Sequence, residues 1–176
     1  KRQFNIKMKR FEGKIVFITG GTRGIGLGLA KWFGEEGATV IICSWKKENL
    51  DEALKELHGL KIDGHVCDVG KKENWLELIK YIEIAYGWLD VLVPNVAAST
   101  HFGLSLDIEE KAFDKMIELN IKQNFFLIKE TVHLLWKGVN PNILIMSSVA
   151  GKNPNFMVGI YSLTKAAMNS MTEFLS

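Results

Sequence analysis

Tyr161 and Lys165 stand four residues apart in "GIYSLTKAAMNSM", at the start of a predicted helix, so their side chains fall on one face. A cationic amine beside a phenol stabilises the phenolate, and a phenol so placed can take or give a proton during catalysis. Thirteen residues before Tyr161, Ser148 follows the apolar run "NILIMS". Its hydroxyl can donate to a carbonyl oxygen or accept from an alcohol. Alone, a tyrosine and a lysine at this spacing are more often an ordinary surface pair. Their weight comes from a second feature far upstream.

That feature is "TGGTRGIG", residues 19–26, with four glycines directly behind the apolar run "KIVFI". The spacing G-x-x-x-G-x-G suits a strand-to-helix turn that receives a dinucleotide. Gly20 permits the sharp turn, Gly24 lets the backbone approach a pyrophosphate, and Gly26 allows close helix–sheet packing. Thr22, Arg23 and Ile25 complete the loop, and the unpaired amides at the helix start face the anion. A merely tight turn would also place glycines here; the serine, tyrosine and lysine downstream decide for the dinucleotide.

The elements that must position these groups alternate along the chain. "KIVFIT", "TVIICS", "DGHVCDV", "LDVLV" and "NILIMS" read as five strands. Helices are predicted from Gly24 to Glu35, over "KENLDEALKELHG" and "KKENWLELIKYIEIAYG", from Ile108 to Leu119, from Ile121 to Trp136, and from Tyr161 to the end. Short strands alternating with such helices imply right-handed crossovers and a parallel sheet covered on both faces. The predicted architecture is therefore a doubly wound α/β (Rossmann) fold, one domain over residues 13–176.

The end of the second strand bears on which dinucleotide binds. An acid there would receive the ribose 2′-hydroxyl of NAD, but the sequence is "CSWKKEN". A 2′-phosphate needs cations and is repelled by carboxylates. NADP(H) is therefore expected, with Ser44, Lys46 and Arg23 as phosphate contacts and Trp45 stacking on the adenine or packing.

Composition excludes other classes. The chain has 176 residues, 47% of them hydrophobic and 24% charged, with a net charge of +2. So small and dispersed a charge argues against a nucleic-acid partner. No apolar stretch approaches the roughly 20 residues of a membrane span. Cys43 and Cys67 read as buried free thiols, and His58, His65 and His133 lack metal-ligand spacing, so no metal site is expected. Residues 1–12 form a basic arm, which fits either the tail of an organelle-targeting segment or a solvated end.

Taken together, these residues resemble the short-chain dehydrogenase/reductase family from about Phe11 to Ser176. "TGGTRGIG" matches that family's glycine turn, and Ser148, Tyr161 and Lys165 match its serine with Y-x-x-x-K. Asn120 in "ELNIK" matches the fourth member of its catalytic tetrad, and Asp68 and Val69 in "CDV" the pair beside the adenine. The resemblance implies that Tyr161 is the general acid/base, that Lys165 tunes it and binds the nicotinamide ribose, and that Ser148 polarises the substrate oxygen. It gives Asn120 a relay water. "VIICSWKKENLDEAL", "VCDVGKKENW" and "VLVPNVAASTHFG" look most like the branch called dehydrogenase/reductase member four, NADPH-dependent reductases of ketones, aldehydes and retinoids. That likeness implies a homodimer or homotetramer through the helices starting near Ile121 and Tyr161. The free thiols and the basic arm suggest an intracellular setting, cytoplasm or mitochondrion, and the branch likeness adds the peroxisome.

Two departures temper the likeness. The family's N-N-A-G is here "PNVA": Asn95 is kept, Pro94 removes a backbone donor, and Val96 and Ala97 complete the stretch. Family members also continue well past the Y-x-x-x-K helix with two more strands and a substrate loop, so a longer protein is expected. The rival readings are a non-catalytic, reductase-derived structural subunit and a dinucleotide-binding regulator.

Overall fold

The computed structural model describes residues 9–176. Residues 1–8 of the expected basic arm lie outside the described residues. Residues 9–12 are docked: the Phe11 N–H donates to the Glu36 carbonyl at 2.9 Å, and its ring meets Phe33 edge-on, centroids 4.8 Å apart.

Five parallel strands form one sheet: β1 (Ile15–Thr19), β2 (Thr39–Ser44), β3 (Ile62–Val66), β4 (Val91–Val93) and β5 (Asn142–Ile143), in the order β3-β2-β1-β4-β5. The helices are α1 (Gly24–Glu35), α2 (Lys47–Glu56), α3 (Lys72–Ala85), α4 (Glu110–Ile117), α5 (Gln123–Leu135) and α6 (Gly159–Leu175). Consecutive residues of β1 feed opposite layers, as a doubly covered strand requires. Ile15 and Phe17 pack with Trp75 and Ile82 of α3, Leu127 of α5 and Met168 of α6. Val16 and Ile18 pack with Ala30 and Phe33 of α1 and Leu50 and Ala53 of α2. The strand order reverses between β1 and β4, so a crevice opens at their carboxyl ends. Among the described residues no helix is long and apolar enough to cross a membrane.

Two expectations are corrected. The helices placed on either side of Asn120 are one continuous run, because residues 118–122 form a π-helical turn rather than a break. "ELNIK" contains neither glycine nor proline, so nothing stops the helix there; the turn instead widens until the Asn124 side chain, at 2.9 Å, takes the Asn120 carbonyl. The fifth strand is shorter than its apolar run. Its ladder covers Val91↔Asn142 and Leu92↔Ile143, and among the described residues no strand pairs with its outer side.

Candidate functional site

The glycine turn leaves β1 at the crevice and does what its spacing requires. Gly20 and Gly24 hold left-handed φ angles of +64° and +53°, and nothing lies within 4 Å of a Cβ built on Gly24, so a ligand has free approach to that backbone. A Cβ on Gly26 would instead strike the Gly20 carbonyl oxygen and come within 2.7 Å of the Asn95 amide nitrogen.

A groove of about 720 Å³ runs over this turn. Of the residues expected to hold a dinucleotide, Gly20, Thr22, Arg23, Gly24, Ile25, Gly26, Ser44, Trp45, Asp68, Val69 and Asn95 line it. Lys46 does not: its ammonium sits 4.6 Å over the Trp45 ring, stacked on a residue that does. Ser44 is buried, and its hydroxyl accepts from the Lys46 N–H at 3.3 Å. Arg23, exposed and flanking the start of α1, is the cation nearest the glycines in sequence.

Sequence reasoning missed part of the lining. Cys43 and Cys67 lie on the groove wall as free thiols, brought together by adjacent strand ends, and the Cys67 thiol hydrogen-bonds to the Cys43 sulfur. That bond lowers the Cys43 thiol from its ordinary value; the same bond and burial raise Cys67. The sequence carries no local signal for this pair, because the β2–β3 register that brings the two strand ends together is set by the fold. Asn49 and Lys115 also line the groove. Lys115 offers no local signal, because it arrives from α4, well away in sequence. A second hollow, about 860 Å³, lies along α4 between Thr100 and Glu118 and contains none of the expected site residues.

The other expected residues gather beyond the end of β5. Lys165 is 3% exposed; its ammonium donates to the Met146 carbonyl at 2.6 Å and lies 5.6 Å from the centre of the Tyr161 ring. Burial pulls the Lys165 amine below its ordinary value. Ser148 accepts from the Ala150 N–H at 3.2 Å. Its neighbour Ser147 donates to the Asn169 Oδ1 at 2.6 Å, with the Lys165 carbonyl 3.2 Å from the same hydroxyl, fastening the segment after β5 to α6.

None of Asn120, Ser148, Tyr161 and Lys165 lines the groove, yet hydrogen bonds join the two places. The Asn95 amide donates to the carbonyls of Thr19 and Gly20, at 3.0 and 3.3 Å. Three residues on, Ala98 is gripped from both sides by the fully buried Asn120, whose Oδ1 accepts from its N–H at 2.7 Å and whose Nδ2 donates to its carbonyl at 2.8 Å. The same Nδ2 donates to Thr164 at 3.0 Å, and Thr164 donates to the Tyr161 carbonyl at 2.8 Å. The loop after β4 is thus the bridge from the glycine turn to the main chain of α6 at Tyr161. Buried polar groups so fully paired hold one geometry.

Comparison with known proteins bears on the family and the fold. The family model described as short chain dehydrogenase matches residues 14–176. Tropinone reductase-like 3 of Erythroxylum coca is 36% identical over 170 residues, 96% of this chain and 65% of that protein. Dehydrogenase/reductase SDR family member 4 of Bos taurus is 34% identical over 167 residues, 94% of this chain and 60% of its own length. The chain therefore spans less than two thirds of these relatives. Among solved structures, a metagenomic short-chain oxidoreductase in complex with NADP superposes with a TM-score of 0.84 at 27% identity, covering 92% of this chain and 74% of that one. The chain belongs to the short-chain dehydrogenase family of oxidoreductases.

Proposed function

We propose that this chain is the nucleotide-binding and catalytic part of an NADP(H)-dependent oxidoreductase acting on a carbonyl or alcohol carbon. The observation that carries the reading is the hydrogen-bonded bridge from Gly20 through Asn95, Ala98, Asn120 and Thr164 to Tyr161. It ties the glycine turn to the main chain of Tyr161, which supports a reading in which one ligand meets both, as positioning catalysis needs.

The groove fits the cofactor: it is open over Gly24, closed behind Gly26, and about 720 Å³ in volume. Asp68 and Val69 flank the adenine in this reading, and the glycine-turn amides take the pyrophosphate. No carboxylate stands at the end of β2, where Ser44 and Trp45 lie, and the exposed Arg23 supplies positive charge for a 2′-phosphate. Lys46 reaches that phosphate only by leaving its stacked position on Trp45.

Nicotinamide, when bound, supplies or accepts the hydride. Tyr161 gives its proton to the carbonyl oxygen during reduction and takes it back in the reverse direction. Ser148 donates a hydrogen bond to the same oxygen, whose negative charge grows as the reaction proceeds. Lys165 stabilises the phenolate left on Tyr161 and contacts the nicotinamide ribose. Asn120 is a brace between Ala98 and Thr164 first and a holder of relay water second. Ketones, aldehydes and retinoid-like carbonyls are the proposed substrate class. Phe125 of α5 and Leu163 and Phe174 of α6, all exposed, offer the surface of a proposed homodimer or homotetramer.

The test is a panel of diketones, aromatic ketones and retinal assayed on the full-length protein with NADPH and with NADH. NADPH-dependent reduction is expected, falling about a thousandfold in Tyr161→Phe. Undiminished turnover in that variant would remove Tyr161 from the mechanism, and preference for NADH would overturn the cofactor assignment.

A further inference from the structure

The hydroxyl of Ser105 joins two main-chain groups far along the sequence. It donates to the Phe156 carbonyl at 2.7 Å and accepts from the Gly159 N–H at 2.9 Å, 54 residues away. Gly159 opens α6, and Val158, which flanks it, supplies no side-chain cap. The first amides of a helix need acceptors from outside the helix, and here the acceptor arrives from another loop. A second bond ties the same two segments, from the Gly103 N–H to the Met157 carbonyl at 2.9 Å. The fit is tight: a Cβ on Gly159 would collide with the Ser105 hydroxyl and lie 3.1 Å from the Ser105 Cβ. His101 braces the loop from within, its Nε2 3.0 Å from the Leu104 carbonyl.

This capped amide lies two residues before Tyr161. The segment that caps it belongs to the same β4–α4 connection that Asn120 grips at Ala98. Phe102, Leu106 and Phe156, on the joined segments, are 79%, 99% and 68% exposed, so little apolar packing holds these segments in place. Hydrogen bonds hold them instead, and between the two segments these are the Ser105 hydroxyl and the Gly103 N–H.

We propose that Ser105 is a positioning residue: it caps α6 from outside the helix and sets the placement of Tyr161, so that the loop after β4 and the phenol move as one body. The inference rests on the assignment of Tyr161 as general acid/base. It adds a coupling: any opening of this loop withdraws the proton donor, and closing restores it.

The experiment uses the full-length protein with NADPH and a phenyl-substituted diketone. Ser105→Ala is expected to lower kcat about tenfold through misplacement of the phenol, while the NADPH dissociation constant stays unchanged. Gly159→Ala, which pushes the hydroxyl away from the other side, is expected to do the same. The double variant should lose far less than the product of the two single losses, because both break one contact. Amide hydrogen exchange across residues 156–163 should speed up in each variant, and this arm decides the matter even if the diketone is not reduced. Wild-type kcat with unchanged exchange in Ser105→Ala, or fully multiplicative losses in the double variant, would overturn the latch. Tyr161→Phe run alongside separates the two readings: full activity there defeats the assignment of Tyr161, whereas an inactive Tyr161→Phe beside a wild-type Ser105→Ala defeats only the latch.

Discussion

Around the glycine turn, β1 and β2 pair over five positions, from Ile15↔Thr39 to Thr19↔Cys43, and every residue of β1 is buried. Around Ser148 the neighbouring ladder has two pairs, and side chains take over: Ser147 on Asn169, Lys165 on Met146, Asn120 on Ala98 and Thr164. The nucleotide end is held by main chain and apolar packing, the proton-transfer end by polar side chains. Damage at the first end should therefore abolish binding of the adenine half, while damage at the second should spare that half and disturb the geometry of the reacting groups and the nicotinamide-side contacts.

Gly26→Ala is the severest test of the first end. Its added carbon meets the Gly20 carbonyl and the Asn95 amide, neither of which can retreat without opening the turn. Overpacking of about 2–3 kcal/mol corresponds to about a hundredfold weaker NADPH binding, readable by fluorescence titration. Wild-type affinity would mean that the turn does not form the nucleotide floor.

Asn120→Ala probes the second end with a somewhat smaller effect. It leaves the N–H and carbonyl of half-buried Ala98 and the hydroxyl of buried Thr164 short of partners. A stability loss of about 2 kcal/mol by urea titration is expected, with kcat reduced and the affinity for adenosine 2′,5′-bisphosphate intact. Lost affinity for that fragment would show that the two ends are not separable.

The smallest effect concerns Asp90, at the amino-terminal edge of the sheet and away from both ends. Its carboxylate accepts from the Ile15 N–H at 2.8 Å, the Val139 N–H at 2.9 Å, the Trp88 ring at 3.0 Å and Lys14 at 3.1 Å. Burial opposes the charge, but these bonds together outweigh it and hold the carboxyl below its ordinary value of 3.8. A depressed carboxyl contributes stability above its unfolded value, and that contribution is lost as pH falls through the folded one. Stability should thus decline as pH drops below about 4, and Asp90→Asn should flatten this part of the curve. An identical acid limb in the variant would assign the loss to other carboxyls.

The same contrast governs what could be read from residue types. Runs such as "KIVFIT" and "TVIICS" announce buried strands because main-chain pairing and apolar burial leave a periodic trace, and the glycine spacing announces the turn. The Ser148–Tyr161–Lys165 set was legible as residue types at known intervals. The means of holding it was not: Thr164, Ala98 and Ser105 act through hydrogen bonds across long separations that follow no period. The π-turn at Asn120 and the shortness of β5 escaped for a related reason, since a helix widens, and a strand ends, according to its neighbours in space.

Lys165 offers the most direct test that one nucleotide spans both ends. It lies outside the groove, so adenosine 2′,5′-bisphosphate, which fills only the adenine half, should bind wild type and Lys165→Met equally. NADPH should bind the variant about tenfold more weakly, the usual worth of a charged hydrogen bond. Equal NADPH affinity in the two proteins would contradict the account, because the glycine turn and the Ser148–Tyr161–Lys165 cluster would then not share a ligand.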